Sequence, residues 1–191
     1  MKMKLMATTM AALAIAAALQ TAAKAEDPIS PVQGAVCNLY YLNVPDAAKA
    51  YSETAAVLAQ KPAAATFVDA ASDFKASKKR SDVQSSWGMW TGWLKQEKAG
   101  TYTFLCKRSF NYNDGRDGRY SIWINGVKCL ECTWGQSSFN VDLNAGFNSV
   151  KIIAVGYSNE DRPLSITYKR AGSVKDPVSF GPADMWYDDE E

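Results

Sequence analysis

The stretch MWTGWLKQEKAGTYTF, residues 89–104, decides the fold class. Its second half begins a run of alternating side chains in which Tyr102, Phe104 and Cys106 share one face. Strict alternation of this kind is typical of a β-strand with one buried face. The residues before the lysine-rich turn, 88–96, predict another strand. This part of the chain is therefore predicted to be β-structure.

The chain after this stretch continues in the same pattern. In RYSIWING, residues 119–126, Ile122 and Ile124 share one face and Trp123 lies on the other. Asn125-Gly126 is a strong hairpin signal, and residues 127–134 return from it. Three more strands follow, within residues 137–157 and 162–172, the first two separated by a turn at residues 144–146. About eight or nine strands at this spacing predict a β-sandwich.

The chain before the stretch adds one strand, one helix and a further short strand. Residues 34–42 predict the first strand, and residues 65–68 predict a short one. Between them, Asp46 to Gln60 predict a helix that follows Pro45 and is stopped by Pro62. The predicted fold class is therefore all-β, a jelly-roll-like antiparallel sandwich with one short helix inserted after the first strand.

The N-terminus predicts a secretory signal. Lys2 and Lys4 precede an apolar run from Met10 to Leu19, which is followed by Ala23-Lys24-Ala25. Cleavage after Ala25 leaves a domain at residues 26–172 and an acidic, aromatic tail at residues 173–191, with no transmembrane segment in the mature chain. We expect export to the periplasm, the cell surface or the medium. The tail is expected to cross the surface or be disordered, with residues 185–187 as its docking point.

Charge and composition exclude several classes of function. The chain has 21 basic and 20 acidic residues, and removing Lys2, Lys4 and Lys24 leaves 18 against 20, a net charge of −2. This charge argues against a nucleic-acid partner. Histidine is absent, which excludes histidine triads and histidine metal sites. An enzyme would need carboxylate pairs such as Asp114 and Asp117, and acidic residues are ordinary in turns, so we expect no enzyme.

Four cysteines, Cys37, Cys106, Cys129 and Cys132, predict structural disulfides in an oxidising compartment. The last two have the spacing of a redox motif, but they lie in a predicted strand. Redox motifs normally open a helix, whose N-terminus lowers the pKa of the thiol. The sequence leaves the pairing of the cysteines open.

Five motifs in order resemble the protective-antigen fourteen-kilodalton domain family. They are GAVCNLYYL, MWTGWLKQEKAGTYTF, NDGRDGRYSIWING, VDLNAGFNSVKIIAVGY and RPLSITYKR, and they extend from about Gly34 to Ala171. The resemblance implies a jelly-roll-like sandwich that binds carbohydrate or mediates adhesion. The helix, the cysteines and the GRDGR insertion depart from the family pattern.

The resemblance also implies a calcium site. In fungal adhesins of the family, two adjacent aspartates hold a calcium ion that contacts sugar hydroxyls, and the matching position here is Asn113-Asp114. Calcium takes six to eight oxygen ligands, and the amide of Asn113 supplies one oxygen without charge. Asp117, in the same glycine-rich loop, is the candidate to replace the missing charge. Asn113, Asp114 and Asp117 are the predicted metal and ligand residues, although the same residues also suit a plain turn.

The aromatic residues divide between core and ligand platform. Trp90 is predicted to lie in the core, and Trp93 is expected to share its face and be packed as well. Tyr112, Trp123 and Trp134 are the candidates for stacking on a sugar, with packing in the second sheet as the alternative. The leading hypothesis is a non-catalytic exported module that binds a glycan or cell-surface polysaccharide. The alternative is a structural subunit that self-associates or docks on a larger complex.

Overall fold

A computed structural model describes residues 27–42, 55–76, 85–108, 119–132, 136–157 and 163–189. Its strands form two sheets in which every pairing is antiparallel. The larger sheet contains β1 (Pro31–Gln33), β2 (Ala35–Leu42), β3 (Ala65–Asp69), β4 (Ser85–Gln96), β6 (Tyr120–Ile124), β7 (Val127–Cys132), β9 (Gly146–Tyr157) and β12 (Trp186–Asp188). The smaller sheet contains β5 (Gly100–Arg108), β8 (Gln136–Leu143), β10 (Leu164–Arg170) and β11 (Val178–Phe180). The predicted all-β sandwich is confirmed.

The order of the strands places β4 and β9 at the centre of the larger sheet. Its main path is β1-β12-β4-β9-β6-β7, and β2 pairs with β4 on one edge and with β3 on the other. The smaller sheet has the order β11-β10-β5-β8. Strands β4 and β5 follow each other in sequence but lie in different sheets, so the turn at residues 97–99 connects the two layers.

The inner face of the larger sheet, which faces the smaller sheet, forms the main core. Cys37, Trp90, Ile152 and Ile122 lie in one cross-strand row there and are all buried. The indole N–H of Trp90 donates to Asp69 Oδ2 at 2.7 Å, so the polar atom of this buried ring is satisfied. Trp90 is therefore a core residue, as predicted.

The outer face of the same sheet is half covered. Residues 55–59 are helical, and Val57 and Leu58 pack there against Tyr40, Trp87 and Val155 in a second apolar cluster. The rest of the predicted helix, residues 46–54, lies outside the described residues. Within the described ranges, no helix is long and apolar enough to cross a membrane.

The C-terminal segment is built into both sheets and does not form the loose tail expected from residue 173. Strand β11 pairs with β10, and β12 pairs with β1 and β4. Between them, a 3-10 helix at Pro182–Asp184 leads into Met185, which is buried in the main core together with Phe180. These two apolar residues explain why the segment is ordered despite its acidic composition.

Candidate functional site

The uncovered half of the outer face has one row of side chains across five strands. The registers align Val36 of β2 with Thr91 of β4, Thr91 with Lys151 of β9, Lys151 with Trp123 of β6, and Trp123 with Lys128 of β7. Each member is one residue away from a core residue in the sequence, except at β7, where the register shifts. Strand alternation therefore places the whole row on the side away from the core.

A groove of about 270 Å³ lies on this row. We call it the outer-face groove and define it by Thr91, Trp93, Trp123, Ser149, Lys151, Tyr187 and Asp188, which line it. Aromatic rings, three hydroxyl groups, one ammonium group and one carboxylate therefore line one concavity. Its volume is just below the range of about 300–1,000 Å³ usual for small-molecule pockets.

Trp93 lies in this groove, and the expectation that it shares the face of Trp90 is wrong. Trp93 lies three positions after Trp90, and an odd interval on a regular strand places the two side chains on opposite faces. Trp93 pairs with Ser149 and Trp186 on the outer side. Its indole N–H is shielded from solvent and has no hydrogen-bond partner among the described residues. Buried N–H groups are normally satisfied, so a donor left unpaired in this way is unfavourable for the fold.

Trp123 is the one predicted ligand residue that the structure describes. It faces away from the buried Ile122 and Ile124, as predicted, and is half-buried. One side of the residue packs against the second apolar cluster, which fixes the ring beside the groove. The Nζ atoms of Lys151 and Lys128 lie 4.5 and 5.5 Å from the ring centroid, within the range of cation–π contacts.

The two lysines on Trp123 differ in their partners. Lys128 Nζ lies 2.6 Å from Glu131 Oε2 and forms an ion pair with it. Lys151 has no ion pair within the described ranges, and burial, together with repulsion from Lys128, lowers the pKa of its ammonium group. The one carboxylate that lines the groove, Asp188, accepts backbone hydrogen bonds from Ile29 and Ser30 on its two oxygens.

Two adjoining turns hold the end of the groove in place. Asn125 and Gly126 have φ angles of 49° and 77°, the left-handed pair of a type I′ turn, and Gly126 lines the groove. The buried Asn148 accepts from the Asn125 side chain at 3.0 Å and from the Asn144 N–H at 2.9 Å. It also donates to the Asn144 carbonyl at 3.0 Å. This side chain therefore joins both turns directly beside Ser149.

The remaining predicted ligand and metal residues, Tyr112, Asn113, Asp114, Asp117 and Trp134, lie outside the described residues. The calcium site stays a prediction. Within the described ranges, no group of three Cys, Asp or Glu residues could hold a metal ion.

The structure shows no disulfide among the three cysteines whose side chains are described, Cys37, Cys106 and Cys129. Cys37 and Cys106 lie in the main core, and the side chain of Cys132 is outside the described atoms. The register shift between β6 and β7 leaves Cys129 as the extra residue of a β-bulge. Burial raises the pKa of the Cys129 thiol, the opposite of what a redox-active thiol requires. Disulfide formation stays a prediction.

Sequence reasoning missed six of the seven residues that define the groove: Thr91, Trp93, Ser149, Lys151, Tyr187 and Asp188. One signal was present, because Lys151 is the single charged side chain in the apolar run VKIIAV, residues 150–155. Burying a lysine ammonium group in the core is costly, so Lys151 indicates that this position of the strand faces away from the core.

Comparison with solved structures shows a fold like that of the protective-antigen fourteen-kilodalton (PA14) domain. A PA14 sugar-binding domain from an RTX adhesin is 20% identical, with a TM-score of 0.60 over 82% of this chain and 99% of that one. The A domain of epithelial adhesin 6 from Candida glabrata, solved with Galβ1-3GlcNAc, is 15% identical, with a TM-score of 0.58 over 86% and 95%.

A second kind of protein has the same fold. An anti-sigma factor domain-containing protein is 16% identical, with a TM-score of 0.59 over 86% of this chain and 52% of that one. No protein-family model and no curated protein sequence matches the chain. These likenesses therefore establish the architecture.

Proposed function

We propose that this protein is an exported, non-catalytic module that binds carbohydrate through the outer-face groove. The observation that carries the proposal is the presence of Trp93 and Trp123 in one groove with the hydroxyl groups of Thr91 and Ser149. A pyranose ring has apolar C–H faces that pack on aromatic rings, and hydroxyl groups that need donors and acceptors at the edge.

A glycan array and polysaccharide pull-downs with the purified chain test this proposal. We expect binding to at least one glycan class, and we expect Trp123→Ala to abolish it because the substitution removes the ring beside the groove. Phe67→Ala is the matched control, since Phe67 is a 38% exposed ring on β3 that does not line the groove. Absence of binding to every glycan, or equal losses in the two variants, would overturn the proposal.

Calcium is a separate part of the proposal and has its own experiment. Binding measured with and without a chelator, and calorimetric titration of calcium into the chain and into Asp114→Ala, tests the predicted loop site. A calcium signal that disappears in the variant supports that site. Glycan binding that survives the chelator and Asp114→Ala but is lost in Trp123→Ala assigns recognition to the outer-face groove alone.

Export is tested by fractionating cells that express the full chain. We expect the protein in the periplasm, on the cell surface or in the medium, with an N-terminus at Glu26 in mass spectrometry. An intact Met1 on the intracellular protein would contradict this part of the proposal.

A structural role is the second candidate, and one observation favours it. Strand β3 pairs with β2 and with no other described strand, and its Phe67 and Val68 side chains are 38% and 49% exposed. An apolar strand edge can pair with another chain. Light scattering on the wild type and on Val68→Lys tests it: an oligomer that dissociates in the variant supports assembly, and a monomer in both contradicts it.

A further inference from the structure

The lysines of the outer face indicate the chemistry of the sugar. We infer that the ligand of the outer-face groove is a linear acidic polysaccharide, with one carboxylate-bearing sugar unit paired to Lys151. This inference rests on the proposed function, because it names the class of glycan that the same groove would take.

The first step is the position of Lys151 within the groove. It extends from the central strand β9 between Thr91 and Trp123, and its ammonium group lies over the Trp123 ring. The other charges near it are Lys128, which pairs with Glu131, and Asp188, which lines the same groove and accepts two backbone hydrogen bonds. The groove therefore presents one half-buried cation without a carboxylate partner in the described part of the chain.

The second step is the cost of that arrangement. Removing an ammonium group from water is unfavourable unless an anion or several acceptors compensate it. A neutral sugar would leave the charge without an anion and would remove more water from it. A carboxylate placed against the ammonium group of Lys151 compensates the charge and completes a charge-assisted hydrogen bond. Thr91 and Ser149 remain available for the sugar hydroxyls.

The third step is that the same arrangement occurs again on the same face. Lys95 lies four residues after Thr91 on β4, about 14 Å along the strand. Its Nζ atom lies 5.3 Å from the Phe147 ring centroid and 5.7 Å from that of Trp186. Trp186 in turn pairs with Trp93 of the groove. A second lysine over aromatic rings at this distance suits a chain of sugars better than a single acidic sugar.

The fourth step is what lies beyond Lys95. This residue also lines a wider cleft of about 490 Å³ at the end of the sandwich. The cations of the cleft are Lys95, Lys98, Lys169, Arg170 and Lys175, against the two carboxylates Glu97 and Asp176. The cleft is therefore positive, with five cations against two anions, in a chain whose overall charge is close to zero. A polyanion that leaves the groove over Lys95 would enter this cleft. The polysaccharide would therefore run from Lys151 over Lys95 towards the cleft.

The experiment compares acidic oligosaccharides with neutral ones of the same length. Oligogalacturonates of increasing length and their carboxyl-reduced forms are titrated into the wild type by calorimetry. We expect the acidic series to bind about tenfold or more tightly, with affinity that rises with length and falls as salt is added. An oligothymidylate of matched charge is included, and equal or tighter binding of that polymer would overturn the inference.

Three variants locate the effect. Lys151→Met keeps an unbranched side chain on Trp123 without the charge, and we expect it to lose about tenfold in affinity for the acidic series and little for the neutral series. Lys151→Arg should retain most of the affinity. Lys128→Met is the matched control, because that lysine contacts the same ring but already has an ion pair with Glu131. We expect its effect to be about threefold or less. Lys95→Met should weaken the longer oligomers only.

The outcomes separate this inference from the proposed function. If neutral and acidic oligosaccharides bind equally and Lys151→Met changes nothing, the inference is overturned while Trp123→Ala still tests the groove. If no glycan of either series or of the array binds the wild type, both are overturned. Circular dichroism and thermal melting of each variant confirm that the comparison is made between folded proteins.

Discussion

The two faces of the larger sheet are made by the same strands and serve different purposes. On the inner face, Trp90 is enclosed by the core, and its N–H is satisfied by Asp69. On the outer face, Trp93 and Trp123 remain half-buried beside polar groups, and the N–H of Trp93 lacks a partner among the described residues. The same residue type is therefore fully buried on the inner face and partly exposed on the outer face. The position of each tryptophan along its strand decides which face it lies on, and the helix at residues 55–59 covers half of the outer face.

The largest expected effect comes from removing the segment that contributes to both faces. Truncation after Gly172 deletes β11 and β12. It removes Phe180 and Met185 from the main core, and Tyr187 and Asp188 from the groove. Losing two large core side chains costs about 2–5 kcal/mol each, which approaches the total stability of an ordinary domain. We expect the truncated chain to be unfolded by circular dichroism.

The control for this truncation is removal of Glu190 and Glu191 alone, which should leave the melting temperature unchanged. A folded chain ending at Gly172 would show that the C-terminal strands are accessory. In that case the acidic segment could be a docking element, as the structural hypothesis expects.

The next effect separates the two faces directly. We expect Trp90→Ala to lower the free energy of unfolding by about 3–5 kcal/mol, because it opens a cavity and leaves Asp69 without its donor. Trp123→Ala should lower it by about 1–2 kcal/mol, since that ring is half-buried, while abolishing glycan binding. Urea unfolding of both variants gives the two values. Equal losses of stability would mean that the outer ring is also scaffold.

A smaller effect tests the network that joins the turns at the end of the groove. Asn148→Ala removes the partner of the Asn144 N–H and carbonyl and of the Asn125 side chain. We expect a loss of about 1–2 kcal/mol, because each hydrogen bond within a protein contributes about 0.5–1.5 kcal/mol and the groups left behind are partly exposed to water. Asn140→Ala on the exposed strand β8 is the control, and a loss of similar size there would show that the position of Asn148 is not special.

The sequence predicts the β-sandwich and the Asn125-Gly126 hairpin because each depends on local pattern. Alternation in β5 and the two left-handed residues of the turn are properties of a few neighbouring positions. The groove depends instead on which strands become neighbours. Thr91, Lys151 and Trp123 are far apart in the sequence, and only the order β4-β9-β6 places them in one row.

Two further expectations differ from the structure. The first concerns the alternation of side chains along one strand, and the second concerns packing between distant parts of the chain. Trp93 was placed on the wrong face, although counting three residues from Trp90 would have placed it correctly. The sequence predicts a C-terminal segment that crosses the surface or is disordered, with residues 185–187 as its docking point, and Met185 is indeed buried. The order of this segment comes from Phe180 and Met185, two apolar side chains whose burial requires a tertiary partner that composition does not reveal.

The smallest expected effect concerns Lys151 in the absence of ligand, where function and stability should oppose each other. Because burial and Lys128 lower its pKa below the usual 10.5, the unfolded chain binds the proton more tightly than the folded one. Below the folded-state pKa the charged lysine therefore destabilises the fold, and this penalty disappears as the pH rises towards 10.5.

We expect Lys151→Met to be slightly more stable than the wild type at neutral pH, by about 0.5 kcal/mol or less. Urea unfolding of both proteins across the alkaline range measures the difference, which should shrink as the pH rises. A variant that is less stable at neutral pH would mean that Lys151 contributes to the scaffold, and the outer face would then resemble the inner one.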